Sequence, residues 1–198
     1  MRACVVLLAL ALASPVAAQP APVSEGRALS EAPDAWKPAV AKAEAAMSGL
    51  QSALLARLKD ELGKGGAKGA LRVCHDEAAA IADKVAREQD IALGRTSHAL
   101  RSPANAAPAW AAPTVASAAG RKAAAAGLRV FDLGDGRLGV LRPIGFAEPC
   151  AACHGARDAL AVDVRSALQS LYPQDRAIGF APGDLRGWMW AEVKLTQP

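Results

Sequence analysis

Residues 150–154 read Cys-Ala-Ala-Cys-His, and no other stretch of the 198-residue chain limits its fold so strongly. Two thiols three positions apart, with an imidazole directly behind them, form the attachment pattern of a c-type haem. The thiols add to the two vinyl groups and the histidine becomes an axial ligand of the iron. The two-residue spacer sets Cys150 and Cys153 at the separation of the vinyls, and His154 then faces the iron. A chain built on this motif must enclose a flat group larger than any side chain. Composition points the same way. Hydrophobic residues make up 52% of the chain but aromatic ones only 4%, and so alanine-rich a core is hard to fill unless something other than an amino acid helps.

Two competing readings of the motif fail on context. Half a zinc site needs a second ligand pair, such as another C-x-x-C or an H-x-x-x-H, and the sequence has none. A redox-active C-x-x-C opens a helix within a thioredoxin-like βαβ pattern. Here Pro149 precedes the motif and Gly155 follows it, which predicts a loop.

The amino terminus sets the compartment. Arg2, the apolar run Ala3–Ala13 and then Ser14-Pro15-Val16-Ala17-Ala18 have the three parts of a secretory signal peptide. Cleavage is expected after Ala18. The apolar run falls short of the about 20 residues that span a bilayer, and Ser14-Pro15 interrupts it. No later stretch could span a membrane, so a soluble, exported protein is expected, periplasmic or secreted. Cys4 leaves with the signal, and Cys74, Cys150 and Cys153 remain. An odd cysteine count is unusual in an oxidising compartment, and haem attachment accounts for two of the three. The net charge of +4 comes from 23 basic and 19 acidic residues, interleaved without a run of five like charges, which argues against a nucleic-acid partner.

The second axial position decides between electron carrier, gas binder and catalyst. Cys74, His75, His98, Met47 and Met189 are the candidates. Leu71, Cys74, Ala78, Ile81 and Val85 recur at helical spacing and form one buried face that includes Cys74. His75 is turned about 100° away, beside Asp76 and Glu77. Pattern alone leaves Cys74 open between an inert buried thiol and a ligand.

One domain is expected from the length, of α+β class. Gln19–Pro33 reads as a flexible linker. A helix capped by Asp34 runs to about Leu62 on the stripe Val40, Ala43, Met47, Leu50, Leu54, Leu58 and Leu62, which makes Met47 a core residue. Gly63-Lys64-Gly65-Gly66 ends it, and the Cys74 helix packs back as a hairpin. A short strand follows over Ile91–Thr96, then a loop over Ser97–Pro113 and an alanine-rich helix over about Thr114–Ala126. Strands Leu128–Leu133 and Arg137–Phe146 are joined by Gly134-Asp135-Gly136, a hairpin signal. In the second strand Leu138, Val140, Ile144 and Phe146 alternate with the opposite face. Asp158 caps a helix to Leu171, and Gly187–Leu195 forms a last strand.

These pieces resemble a known family. Val73-Cys74, Gly94-Arg95-Thr96-Ser97 and Arg101-Ser102-Pro103-Ala104-Asn105 leading to Trp110 match the haem domain DUF3365, a c-type haem module of PAS-like fold. So do the haem motif with Gly155, then Tyr172-Pro173-Gln174-Asp175-Arg176-Ala177-Ile178-Gly179-Phe180 and Gly183-Asp184-Leu185-Arg186-Gly187. The match covers about Ala35–Leu195. Ser102 stands where the family usually has Asn, and Ala111 where it has an acidic residue. The resemblance implies a PAS-like antiparallel sheet, with haem held between it and the N-terminal helices, and the helix cysteine, Cys74, as the ligand opposite His154.

A histidine/thiolate iron implies a low potential, because the anionic sulfur stabilises the ferric state, and it leaves no open position for substrate. A non-enzymatic role in electron transfer or redox and gas sensing is therefore expected, with a separate redox partner protein. A peroxidase-like enzyme with a displaceable sixth ligand is the alternative. Arg95 and Arg101 are candidates to meet the haem propionates or to fix loops. Trp110, Phe180 and Trp188 either wall the haem or belong to the core. Asp175 and Asp184 sit in turn contexts.

Overall fold

The computed structural model describes residues 26–195. The expected signal peptide, Met1–Ala18, and the start of the linker lie outside them. The linker does not extend to Pro33. Arg27–Ala28 form an edge strand, β1, whose backbone pairs with Arg129 and Val130. Turns of 3-10 helix at Leu29–Glu31 and Asp34–Trp36 lead into α1, Lys37–Asp76. Asp34 does not cap that helix. Trp36 occupies the cap position, Pro38 the first turn, and Asp34 pairs with Lys37 at 2.6 Å.

Val40, Ala43, Met47, Leu50 and Leu54 of α1 are buried as their spacing requires, whereas Leu58 is half-buried and Leu62 exposed. The glycine run does not stop the helix at Gly63. Helical geometry continues to Gly66, whose φ of +62° lets the chain fold back. The return limb carries Leu71, Val73 and Cys74 and runs on past Glu77 into α2, Ala78–Gln89, with the Ile81 N–H still bonded to the Glu77 carbonyl. The expected hairpin is therefore present, with its turn at Gly66. The Arg57 guanidinium clasps it, donating to both Glu77 carboxylate oxygens at 2.7 and 2.8 Å.

Strand β2, Ala92–Thr96, is followed by α3, Ala112–Ala116, and α4, Ala123–Ala126. The single alanine-rich helix expected here is broken at Gly120, where φ is +73°. Strands β3, Arg129–Gly134, and β4, Arg137–Gly145, form the expected hairpin around positive-φ residues 134–136. The one-turn helix α5, Ala151–His154, α6, Val162–Leu171, and β5, Leu185–Lys194, complete the chain. Asp158 does not cap α6, because a 3-10 turn over Arg157–Ala159 separates them.

The five strands form one antiparallel sheet in the order β1-β3-β4-β5-β2, and with the helices they make an α+β fold. One face packs Val130, Leu138, Val140, Met189 and Ala191 against the first limb of α1 and α2. The other packs Phe131, Leu141, Leu185 and Trp188 against Ala111, Val115 and Ala126. Burial on both faces explains why β4 does not alternate: Leu138 to Leu141 are all buried. A third cluster joins Leu71 of the return limb to Leu160, Val164, Leu168 and Tyr172 around α6.

Candidate cofactor-binding cleft

The antiparallel register brings the ends of β2 and β4 beside the start of β5, with Thr96 opposite Trp188 and Gly145 opposite Leu185. Gly187 permits that approach, since a Cβ there would strike the Thr96 carbonyl oxygen. Off this end of the sheet lies an open cleft of about 210 Å³. Its walls include Cys74, Arg95, Arg101, Cys150, His154 and Arg186, drawn from five separate segments. The first limb of α1 fills the sheet face, so the open space lies at the sheet end rather than between the face and that limb. The return limb alone reaches it, through Cys74.

The motif is not a loop. A 3-10 turn over Glu148–Cys150 runs into α5, so Cys150, Cys153 and His154 fall at i, i+3 and i+4 on one helical face. Gly155 stops the turn. Its N–H bonds the Ala151 carbonyl at 3.0 Å, and a Cβ at residue 155 would lie only 2.8 Å from that oxygen. Cys153 is half-buried and packs on the edge of the third core cluster.

His154 is held by its far nitrogen. Nδ1–H donates to the Ala177 carbonyl at 2.7 Å, which fixes the tautomer and leaves Nε2 for a ligand. Burial, with the positive Arg186 and Arg101 adding to it, pushes the imidazole down to about 2, against the opposing pull of the Ala177 bond. The ring is therefore neutral, as metal binding requires.

The carbonyl that holds His154 is itself held. Asp175 Oδ1 accepts the Ala177 N–H at 2.8 Å. Arg101 Nη2 donates to the Ala177 carbonyl at 3.2 Å and to the Cys153 carbonyl at 2.5 Å. The Arg101 Nε lies 3.2 Å from Asp175 Oδ2, with both side chains buried. Arg101 thus ties the motif helix to the 175–177 loop, the loop-fixing alternative raised for it above. Asp175 makes the expected turn and also carries this ion pair. Asp184 keeps to the turn, accepting the Ala181 N–H at 2.8 Å and pairing with Lys122.

Cys74 is a free, half-buried thiol in the cleft wall. Burial pushes its pKa up against the weaker opposing pull of Arg95, Arg101 and Arg186, so the unbound sulfur rests as a neutral thiol. Burial also raises Cys153, with Arg101 opposing. The other ligand candidates stand elsewhere. Met47 and Met189 are buried in the core. His75 is exposed, with Nδ1 2.6 Å from Asp76 Oδ1. His98 packs edge-on to Phe180. Trp110 and Trp188 belong to the second core face, Trp110 donating Nε1–H to Glu192 at 2.8 Å. Phe180 stacks on Phe146.

Two cleft residues were visible in the sequence without an assigned role. Tyr172 closes α6 and faces the cleft with its ring 5.8 Å from the Arg101 guanidinium. Arg186 opens β5, and its Nε is buried without a partner. Its signal was an arginine between a leucine and a glycine at the head of a buried strand.

The residues fit a haem. Among the described residues no three His, Cys, Asp or Glu converge tightly enough for a bare metal ion. Yet a histidine nitrogen and two thiols, Cys74 and Cys150, open on one cleft, with Cys153 one helical turn from Cys150. The three arginines Arg95, Arg101 and Arg186 share that cleft, with only Asp175 paired to one of them, so the pocket suits an anionic group.

The chain matches the family model described as Tll0287-like: Tll0287, over residues 21–193. It is similar in fold to the cyanobacterial heme-protein Tll0287, known from a crystal structure. That similarity has a TM-score of 0.50 and 20% identity, covering 74% of this chain and 94% of that one. No curated protein matches it.

Proposed function

The chain belongs to the Tll0287-like family, a haem-protein family of the DUF3365 type, and from that premise we propose that it carries one haem c and exchanges electrons in an exported compartment. Cys150 and Cys153 would hold the haem through thioether bonds to its two vinyl groups. His154 and Cys74 would ligate its iron. The observation that carries this reading is the shared cleft. Cys74 comes from the return limb of α1 and His154 from α5, some eighty positions later, and both line it with Cys150.

Haem, when bound, supplies a one-electron couple. The chain's residues set how that couple is used. The Ala177 carbonyl orients His154 through Nδ1, which keeps Nε2 directed to its ligand and raises its basicity. Arg101 and Asp175 keep that carbonyl in place. With Cys74 as second ligand the chain is suited to electron transfer or redox sensing rather than turnover, and its redox partner is a separate protein. Among the described residues no helix is long and apolar enough to cross a membrane.

The test is direct. The protein, exported with the haem-attachment machinery, is denatured in alkaline pyridine, and its intact mass is measured. A thioether-type haemochrome and a mass increase of one haem support the proposal. Haem that acid–acetone extracts from the native sequence contradicts it.

A further inference from the structure

Arg186 is a half-buried cation that makes no ion pair of its own among the described residues. It opens β5 on the cleft wall, with its main chain fixed by the Ser97 hydroxyl, which donates to the Arg186 carbonyl at 2.7 Å. Its guanidinium lies 5.1 Å from the Phe180 ring centroid, and Nε is buried without a hydrogen-bond partner. Among the described residues neither Arg186 nor Arg95 makes an ion pair or a side-chain hydrogen bond. Asp175, whose charge reaches Arg186, is ion-paired with Arg101 at 3.2 Å. Removing a guanidinium from water without an acceptor is unfavourable, so such a group is retained where an anion completes it. The planar fork is suited to a carboxylate, and stacking on Phe180 holds its plane.

Resting on the haem c reading above, we infer that Arg186, seconded by Arg95, forms the propionate-binding subsite of the cleft, and that Arg101 does not. Arg101 Nη2 is bonded to the Cys153 and Ala177 carbonyls, and the Arg101 charge is met by Asp175 at 3.2 Å. Arg186 has neither. A positive charge held at a propionate also disfavours the ferric, more positive iron, so this subsite raises the potential that the thiolate lowers.

The experiment compares midpoint potentials of the wild-type holoprotein, Arg186→Gln and Arg186→Lys, each with its haemochrome content. The expected result, compared per covalently bound haem, is a lower potential in the Gln variant and a near-wild-type potential in the Lys variant. Equal potentials in all three at full haem content overturn the assignment and leave the haem c reading standing. A wild type without thioether haem overturns both. Infrared spectroscopy of the wild type, with carboxyl-¹³C haem and ¹⁵N-arginine, covers the case of variants that do not fold. The propionate bands should shift on arginine labelling, and bands indifferent to it overturn the subsite.

Discussion

Replacing Asp175 with Asn changes a single charge at the point where the haem motif is anchored. The Asp175–Arg101 pair is buried on both sides, at 7% and 8% side-chain exposure, with 3.2 Å between Oδ2 and Nε. Asn keeps an oxygen for the Ala177 N–H, now bonded at 2.8 Å, so the turn survives and only the counter-charge is lost. A buried pair broken on one side costs about 3–5 kcal/mol, and the two carbonyls that Arg101 retains put this case near 3. At about 2–4 °C per kcal/mol for a domain of this size, the melting temperature should fall by roughly 6–12 °C. The Ala177 carbonyl bonds both Arg101 and His154 Nδ1, so the haem absorption bands should shift as well. Asp60→Asn is the control, because its pair with Lys64 at 2.7 Å is exposed and should leave melting unchanged. Thermal melts followed by circular dichroism, beside visible spectra, decide the matter. If Asp175→Asn melts with Asp60→Asn and keeps a wild-type spectrum, the anchoring argument is wrong. Adding Arg101→Gln to Asp175→Asn should cost less than the sum of the two single changes.

Three further outcomes are expected. Met47→Ala, at a fully buried position on the first limb of α1, should lose roughly 2–5 kcal/mol in a denaturant titration, while the haem spectrum stays put; a changed ligand field there would make Met47 more than core. Gly187→Ala drives a Cβ into the Thr96 carbonyl and to within 3.1 Å of Ser97 Cβ, so it should cost about 1–3 kcal/mol and disturb the visible spectrum, since all three residues line the cleft. Cys150→Ala with Cys153→Ala should leave any bound haem extractable by acid–acetone, as absorbance of the organic phase would report.

Much of this site was legible because the chemistry sits in short, local patterns. Residues 150–154 stood out by spacing, and the helical face 71–85 put Cys74 on a buried side with His75 turned outward, but only the fold shows that this side opens on the cleft. What stayed hidden depends on long-range geometry. The motif was expected in a loop between Pro149 and Gly155, yet proline is tolerated in a first turn and glycine just past a last one, so the same residues bracket a one-turn helix. Asp34 and Asp158 carry the side chains of helix caps, but an intervening 3-10 turn in each case puts the cap elsewhere. The glycine run at 63–66 looked like a stop and turned the chain only at its last member. Arg101 and Asp175 lie 74 positions apart and meet only through the fold. Nothing local separates Arg101, which binds protein carbonyls, from Arg186, which binds none.

A thiolate/histidine iron requires that Cys74 and His154 share one metal. The ferric electron paramagnetic resonance spectrum of the exported holoprotein, recorded beside that of Cys74→Ala, measures this. A low-spin thiolate signal in the wild type that disappears in the variant, with covalent haem retained in both, is the predicted result. Identical low-spin spectra would assign the second ligand to a residue other than Cys74 and contradict the account.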